Sequence, residues 1–432
     1  MKSRAWISIT LCALPLALSP VARADSVTDW NQTAIRATEV AALPPPPQSR
    51  AMAMVHAAIF DAVNAIDGRY AAYAADIKAP AATSKEAAAA SAGHGVLVRL
   101  FPEQQAALDA SLAASLAQIV DGEGKNQGVL VGRDVAARVY EIRKTDGAAG
   151  KADYAFGSGP GVYQRTPPMN AQPVLSHWGR VKPFVLGSAG QFSPPGPPAY
   201  GSAKFVKDFD EVKALGARDS RTRTNEQTAI ALFWAGSEIP PLNTIARSMS
   251  AEKGLAIADN ARLLAYLNMA IADSLIAGFE AKYKFTAWRP ITAIHGAASA
   301  TDPRLAPDPH WQPLMVTPPH PEYPSAHCLA TGGAVQVLSG FFGTDRVQVS
   351  LVQPPLGFLR QYESLRALAE EMENARVWGG IHFRSADEDG TRLGRQVGQY
   401  VLDQALRPVS GSPSAAARPA GADQVSGSVP RD

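Results

Sequence analysis

The chain has 432 residues, 46% hydrophobic and 19% charged, with a formal net charge of +2. It is too long for a small stapled domain and too apolar for a disordered chain, and its charge balance offers no footprint for nucleic acid. Two cysteines exclude a disulfide framework and any cysteine-rich zinc or iron–sulfur site.

At the N-terminus Lys2 and Arg4 precede an apolar run from Ala5 to Leu18, and Ala22-Arg23-Ala24 places small residues around a cleavage point. This layout predicts an export signal over residues 1–24 and a periplasmic or secreted protein. The run is shorter than the ~20 residues a bilayer-crossing helix needs. Later apolar stretches are interrupted by charges or by Gly and Pro, so no membrane span is expected. Cleavage after Ala24 would remove Lys2, Arg4, Arg23 and Cys12, moving the net charge to −1 and leaving Cys328 as the single thiol.

Helical spacing dominates the rest, and the expected class is all-α. Residues 25–145 read as an N-terminal helical half. A helix is predicted over Ala51 to Ile66 with Gly68 as its stop, followed by a capping box of Thr83 and Glu86 ahead of an Ala-rich stretch. Further helices are expected over about 104–119 and 126–143. Between Asp146 and Tyr200 the pattern fails, because 18 of 55 residues are Gly or Pro. That segment reads as a long surface connection or a boundary between halves.

Helical period returns in residues 201–406, the expected catalytic half. Phe205, Phe209, Val212 and Leu215 mark one helix, and Asn225 to Trp234 another. The clearest runs from Asp259 to Lys282, with Leu264, Leu267, Ile271, Leu275 and Gly278 as its inward stripe. Others are expected over Ser325 to Leu338, Glu363 to Trp378 and about Glu388 to Leu406. The stretch 407–432 reads as a disordered tail. No strand ladder is expected.

Three clusters in the second half carry chemistry. Lys282 ends an apolar stripe, where an unpaired ammonium is costly to bury, and Arg289 precedes Pro290 at a helix boundary. Pro324-Ser325-Ala326-His327 opens a helix whose free N–H groups suit an anion, with Ser325 as N-cap. Arg376 falls four residues after Met372 on an inward face, and Gly379-Gly380 breaks that helix so that His382 can turn back. Taken singly, each cluster also reads as a snorkelling lysine, a capped helix or a structural histidine. Together they supply three cations, a helix N-terminus and two histidines, and convergence on one tetrahedral oxyanion accounts for the set. His56, His94, His177, His295 and His310 show no ligand spacing. Cys328 adjoins His327 but points ~100° away on the helix, as a small buried thiol would.

The order Lys-x6-Arg-Pro, Pro-Ser-x-His, Arg-x5-His over Lys282 to Asp387 resembles the vanadium-dependent haloperoxidase and type 2 phosphatidic acid phosphatase superfamily. Length and the lack of spanning segments resemble its soluble haloperoxidase branch. The resemblance implies a helical bundle whose Lys282, Arg289 and Arg376 neutralise the oxygens of a vanadate cofactor. It also implies that Ser325 and the Ala326 N–H bond those oxygens, that His382 is the metal ligand, and that His327 is the acid–base group. The expected reactants are hydrogen peroxide and a halide. In the alternative reading the pocket holds a phosphomonoester, with His382 as the nucleophile of an acid phosphatase. A non-catalytic anion-binding protein is a third reading.

Ala326 stands where the family usually has Gly. Ala375 replaces a Ser common before the third-motif Arg of related phosphatases, and Asp387 lies five rather than four residues after His382. Both differences lean toward a haloperoxidase. His320 resembles the bromoperoxidases, and Phe279 replaces a Trp of the chloroperoxidases, so a halide pocket at Phe279 and His320 favours bromide or iodide. Helical haloperoxidases are often homo-oligomers, and no surface stripe decides that point here.

Overall fold

The computed structural model describes residues 25–297, 302, 304–353 and 357–409. The leader and residues 410–432 lie outside them. The chain is mostly helical, with 58% of residues in helices and 5% in strands.

The first half contains α1 (Ser26–Val40), α2 (Pro45–Asp67), α3 (Lys85–Leu100), α4 (Gln105–Ala117) and α5 (Glu123–Arg143). Asp25 caps α1 through a capping box with Thr28, and α2 ends at Gly68 in the left-handed conformation. α2 begins six residues before Ala51, because three successive prolines fit a first helical turn that needs no N–H donors. Ser84, not Thr83, caps α3 by accepting from Ala87 N, and the Thr83 hydroxyl is buried without a hydrogen bond. The capping box expected at Thr83 is therefore one residue out of register.

The second half contains α6 (Ala203–Leu215), α7 (Asn225–Phe233), α8 (Ile239–Lys253), α9 (Ile257–Phe285), the single turn α10 (Pro290–Thr292) and α11 (Ala326–Phe342). After these come β1 (Arg346–Gln353), β2 (Phe358–Ser364), α12 (Leu365–Trp378) and α13 (Arg384–Gln404). Sequence spacing missed α1, α8 and the antiparallel β1–β2 hairpin. In β1 the alternation of Val347, Val349 and Leu351 is the period-2 signal of a half-buried strand, and all three side chains enter the core. Residues 407–409, expected to open a disordered tail, instead pair with 69–71: Ala71 N donates to Arg407 O at 2.8 Å and Val409 N to Arg69 O at 3.1 Å.

α9 is the axis of the fold. It alone among the described helices is long and apolar enough to cross a membrane, yet 94% of its apolar window is buried inside the protein. α2, α11 and α13 pack on it, and one apolar core runs from Val27 to Leu406 across both halves. The irregular segment 146–200 is tied to this axis by Asp273 of α9, whose carboxylate accepts from Phe184, Val185 and Leu186 N at 2.6–2.9 Å. Tyr163 N donates to Thr286 O at 2.7 Å, drawing the segment across the C-terminal end of α9. α11 and α13 approach so closely that a Cβ on Gly394 would stand 2.2 Å from Leu329 O. Glycine there lets α11, which carries Ala326 and His327, lock against α13 backbone to backbone.

Candidate oxyanion site

Four chain segments meet at the C-terminal end of α9. Lys282, in the last turn of α9, donates from Nζ to Pro321 O and Glu322 O, both at 2.9 Å. Arg289 is the extended N-cap of α10, so its side chain leaves the backbone at a corner. It donates from Nε to His320 O (3.0 Å), from Nη1 to Ile381 O (2.8 Å) and His382 Nε2 (3.2 Å), and from Nη2 to His320 Nδ1 (3.1 Å). Arg376 lies near the end of α12 and donates from Nη1 to Trp234 O at 2.5 Å, while its Nε is buried without a partner.

All three cations are at most 2% exposed, and among the described residues none has a carboxylate within ion-pair distance. Burial, then the Arg289 charge, holds the Lys282 ammonium well below its usual range. Burial likewise lowers Arg289 to about 10, and lowers Arg376. Cations buried this way are stabilised by an anion brought among them.

The hydrogen bonds assign the protons on the histidines. A guanidinium only donates, so His382 Nε2 must accept from Arg289, and Nδ1 then carries the proton. That Nδ1–H donates to Glu322 Oε1 at 2.9 Å, and the same oxygen accepts from Phe383 N at 2.9 Å. Burial raises the Glu322 carboxyl to about 7, with Arg289 opposing. His382 is held neutral by burial and by the neighbouring Arg289, Lys282 and Arg376.

Ser325 is the N-cap residue of α11 as expected, but its hydroxyl makes no capping bond. It is fully buried beside Asp387 and Cys328, within hydrogen-bonding reach of both. Ala326 is the first helical residue, a right-handed position that accommodates a Cβ, so the usual Gly is dispensable here. His327 follows in the first turn. Its Nε2 stands 2.9 Å from Gly236 O and 3.4 Å from Glu238 Oε2, so Nε2 carries a proton and Nδ1 the lone pair. Burial, then Arg376, pushes His327 well below the usual imidazole range. Burial raises the Glu238 carboxyl to about 7.

Phe279 and His320, the residues expected for a halide pocket, touch with ring centroids 5.3 Å apart. His320 also clamps Arg289. Cys328 is buried and donates to Asp387 Oδ1 at 3.4 Å. The remaining histidines form no metal-ligating group among the described residues. Spacing overlooked Glu322 and Glu238, the carboxylates behind the two site histidines. Glu322 lies in the Pro321-Glu322-Tyr323-Pro324 string just ahead of Ser325, and Glu238 precedes the Pro240-Pro241 pair in the first turn of α8.

Donors and cations thus converge from α9, α10, α11 and α12, with one accepting imidazole nitrogen among them. Fold and site together describe a helical protein with a buried cluster of three cations and two histidines. The family model described as the VCPO second helical-bundle domain matches residues 262–411. The vanadium chloroperoxidase of Curvularia inaequalis is 31% identical over 148 residues, a match taking in 29% of this chain and 24% of that protein. The chain thus spans about a quarter of that curated relative's length in the match. A bacterial vanadium-dependent iodoperoxidase structure superposes with a TM-score of 0.76 at 26% identity, over 90% of this chain and 97% of that one. An apo bacterial vanadium-dependent chloroperoxidase shares the fold, with a TM-score of 0.70 at 18% identity over 84% of this chain and 94% of that one. Residues 262–411 thus resemble the second helical-bundle domain of the vanadium chloroperoxidases, and most of the chain shares the fold of bacterial vanadium-dependent haloperoxidases.

Proposed function

We propose that the protein is an exported vanadate-dependent haloperoxidase that oxidises iodide or bromide with hydrogen peroxide. The observation that carries this reading is the set of three buried cations without carboxylate partners around the accepting Nε2 of His382. The residues fit vanadate on their own chemistry. Arg376 Nε is a buried donor without an acceptor, and the His382 Nε2 lone pair, engaged here by Arg289 Nη1, lies among the same cations. Lys282, Arg289 and Arg376 would hold the oxyanion, with Ser325 and the Ala326 N–H beside them, and His382 would be the metal ligand. Vanadate, when bound, supplies the centre at which peroxide is activated for two-electron oxidation of a halide.

The chain's own residues do the rest. The cations lie in a preorganised, water-poor site where their charge is little screened, and so they stabilise negative charge on oxygen. Glu322 holds the Nδ1–H tautomer of His382 and thereby aims Nε2. His327, kept neutral by burial, accepts a proton at Nδ1, while Gly236 O anchors Nε2 and the Glu238 carboxyl stands behind it. Phe279 and His320 would border the halide. The iodoperoxidase likeness supports iodide, and the leader-like residues 1–24 support export.

Purified protein should oxidise iodide or bromide with peroxide after vanadate loading. Phosphomonoester hydrolysis without vanadate, together with no halide oxidation, would overturn the proposal in favour of the phosphatase reading.

A further inference from the structure

Behind Glu322, which bonds His382 Nδ1, lies a cavity of about 240 Å3. Its walls include Tyr200, Phe205, Trp288 and Phe383, which pack on one another with ring centroids 5.2–6.3 Å apart. Its polar side chains include two carboxylates, Asp208 and Glu322, at most 3% exposed, and no Lys, Arg or His lines it. Glu322 uses Oε1 for both its hydrogen bonds, to His382 and Phe383, and its Oε2 accepts none among the described residues. Asp208 uses Oδ2 for both bonds from Ser385. A carboxylate oxygen without a donor among the described residues, on the wall of an aromatic cavity, suits a cation that can also lie against rings. The volume is below the ~300–1,000 Å3 of drug-sized sites, so the occupant is small. Its mouth runs past the partly exposed Pro197-Pro198-Ala199 segment.

We infer that this cavity is a binding site for a small organic ammonium ion with an apolar body, its charge shared by Asp208 and Glu322 and its body held by Tyr200, Phe205, Trp288 and Phe383. The site is distinct from the oxyanion pocket, and Glu322 is the wall common to both. The assignment requires neither vanadate nor halide chemistry.

The test is calorimetric titration of the full chain, free of vanadate, with 2-phenylethylammonium and with its neutral counterpart 2-phenylethanol. The ammonium should bind saturably, and the alcohol at least about tenfold more weakly. Asp208→Asn keeps an oxygen for Ser385 while removing a charge, and should weaken the ammonium by a similar factor. Ala199→Phe, at the exposed mouth, should abolish its binding. If Asp208→Asn fails to fold, as judged by circular dichroism, Ala199→Phe decides the question. No saturable binding of the ammonium, equal affinity for the alcohol, or undiminished binding to Ala199→Phe would overturn the assignment.

Discussion

Glu322 Oε1 accepts the Nδ1 proton of His382 at 2.9 Å, and the same oxygen accepts the backbone N–H of Phe383. The imidazole is therefore fixed in ring orientation and in tautomer before any ligand arrives. Glu322 is itself placed by the Pro321-Glu322 turn that Lys282 grips through two carbonyls. A site histidine, its orienting acid and a site cation thus form one rigid unit.

Replacing that acid separates its hydrogen-bonding role from its charge. Glu322→Gln keeps a carbonyl oxygen for Nδ1 and Phe383, whereas Glu322→Leu removes both acceptors. Loss of a carboxylate behind a ligating histidine weakens metal affinity by roughly 10–100-fold. We expect Glu322→Leu to raise the vanadate Kd by that amount, with Gln restoring most of it. Equal Kd values for the wild type and the Leu variant, from equilibrium titration, would remove Glu322 from this role.

The loop carrying His382 depends on a close backbone approach. Gly380 has φ +76°, and a Cβ there would stand 2.4 Å from Gly216 O at the end of α6. Gly380→Ala combines left-handed strain with a clash against backbone, and should cost about 2–4 kcal/mol. Urea unfolding measures it. An unchanged midpoint would mean that the contact with Gly216 is loose.

Acid sensitivity has a source far from the site. His56 is fully buried, with Nε2 2.7 Å from Asn31 Nδ2, and burial followed by the Arg247 charge lowers it to about 3. An unfolded histidine titrates near ~6.5. Between these values the unfolded chain takes up a proton that the folded chain refuses, so stability falls as pH drops. The slope is ~1.4 kcal/mol per pH unit, or ~3 kcal/mol by about pH 4.5. His56→Gln should flatten the decline in urea midpoint between pH 7.5 and 4.5. Parallel declines in the two proteins would contradict this assignment.

The parts of the molecule legible in the sequence are those governed by local pattern. The α9 stripe ending in Lys282, the proline after Arg289 and the Gly379-Gly380 break each announce themselves through helix chemistry. Other parts depend on partners distant in sequence. Glu238 follows a Gly-Ser pair and precedes two prolines, which looks like loop, yet prolines in a first turn open α8 and place Glu238 beside His327. Glu322 is orienting only because residue 382 folds back onto it. The Thr83 misassignment shows the limit of capping patterns, since Ser84 offers the same chemistry one residue later.

The central claim is that Lys282, Arg289, Arg376 and His382 hold one tetrahedral oxyanion, and equilibrium binding of vanadate to the metal-free protein tests it most directly. One vanadate should bind per chain and be displaced by phosphate. Affinity should be lost in His382→Ala and weakened by about 2–4 kcal/mol in Arg376→Ala, the scale for breaking a buried charged contact. No vanadate binding by the folded wild type, or unchanged affinity in Arg376→Ala and His382→Ala, would contradict it.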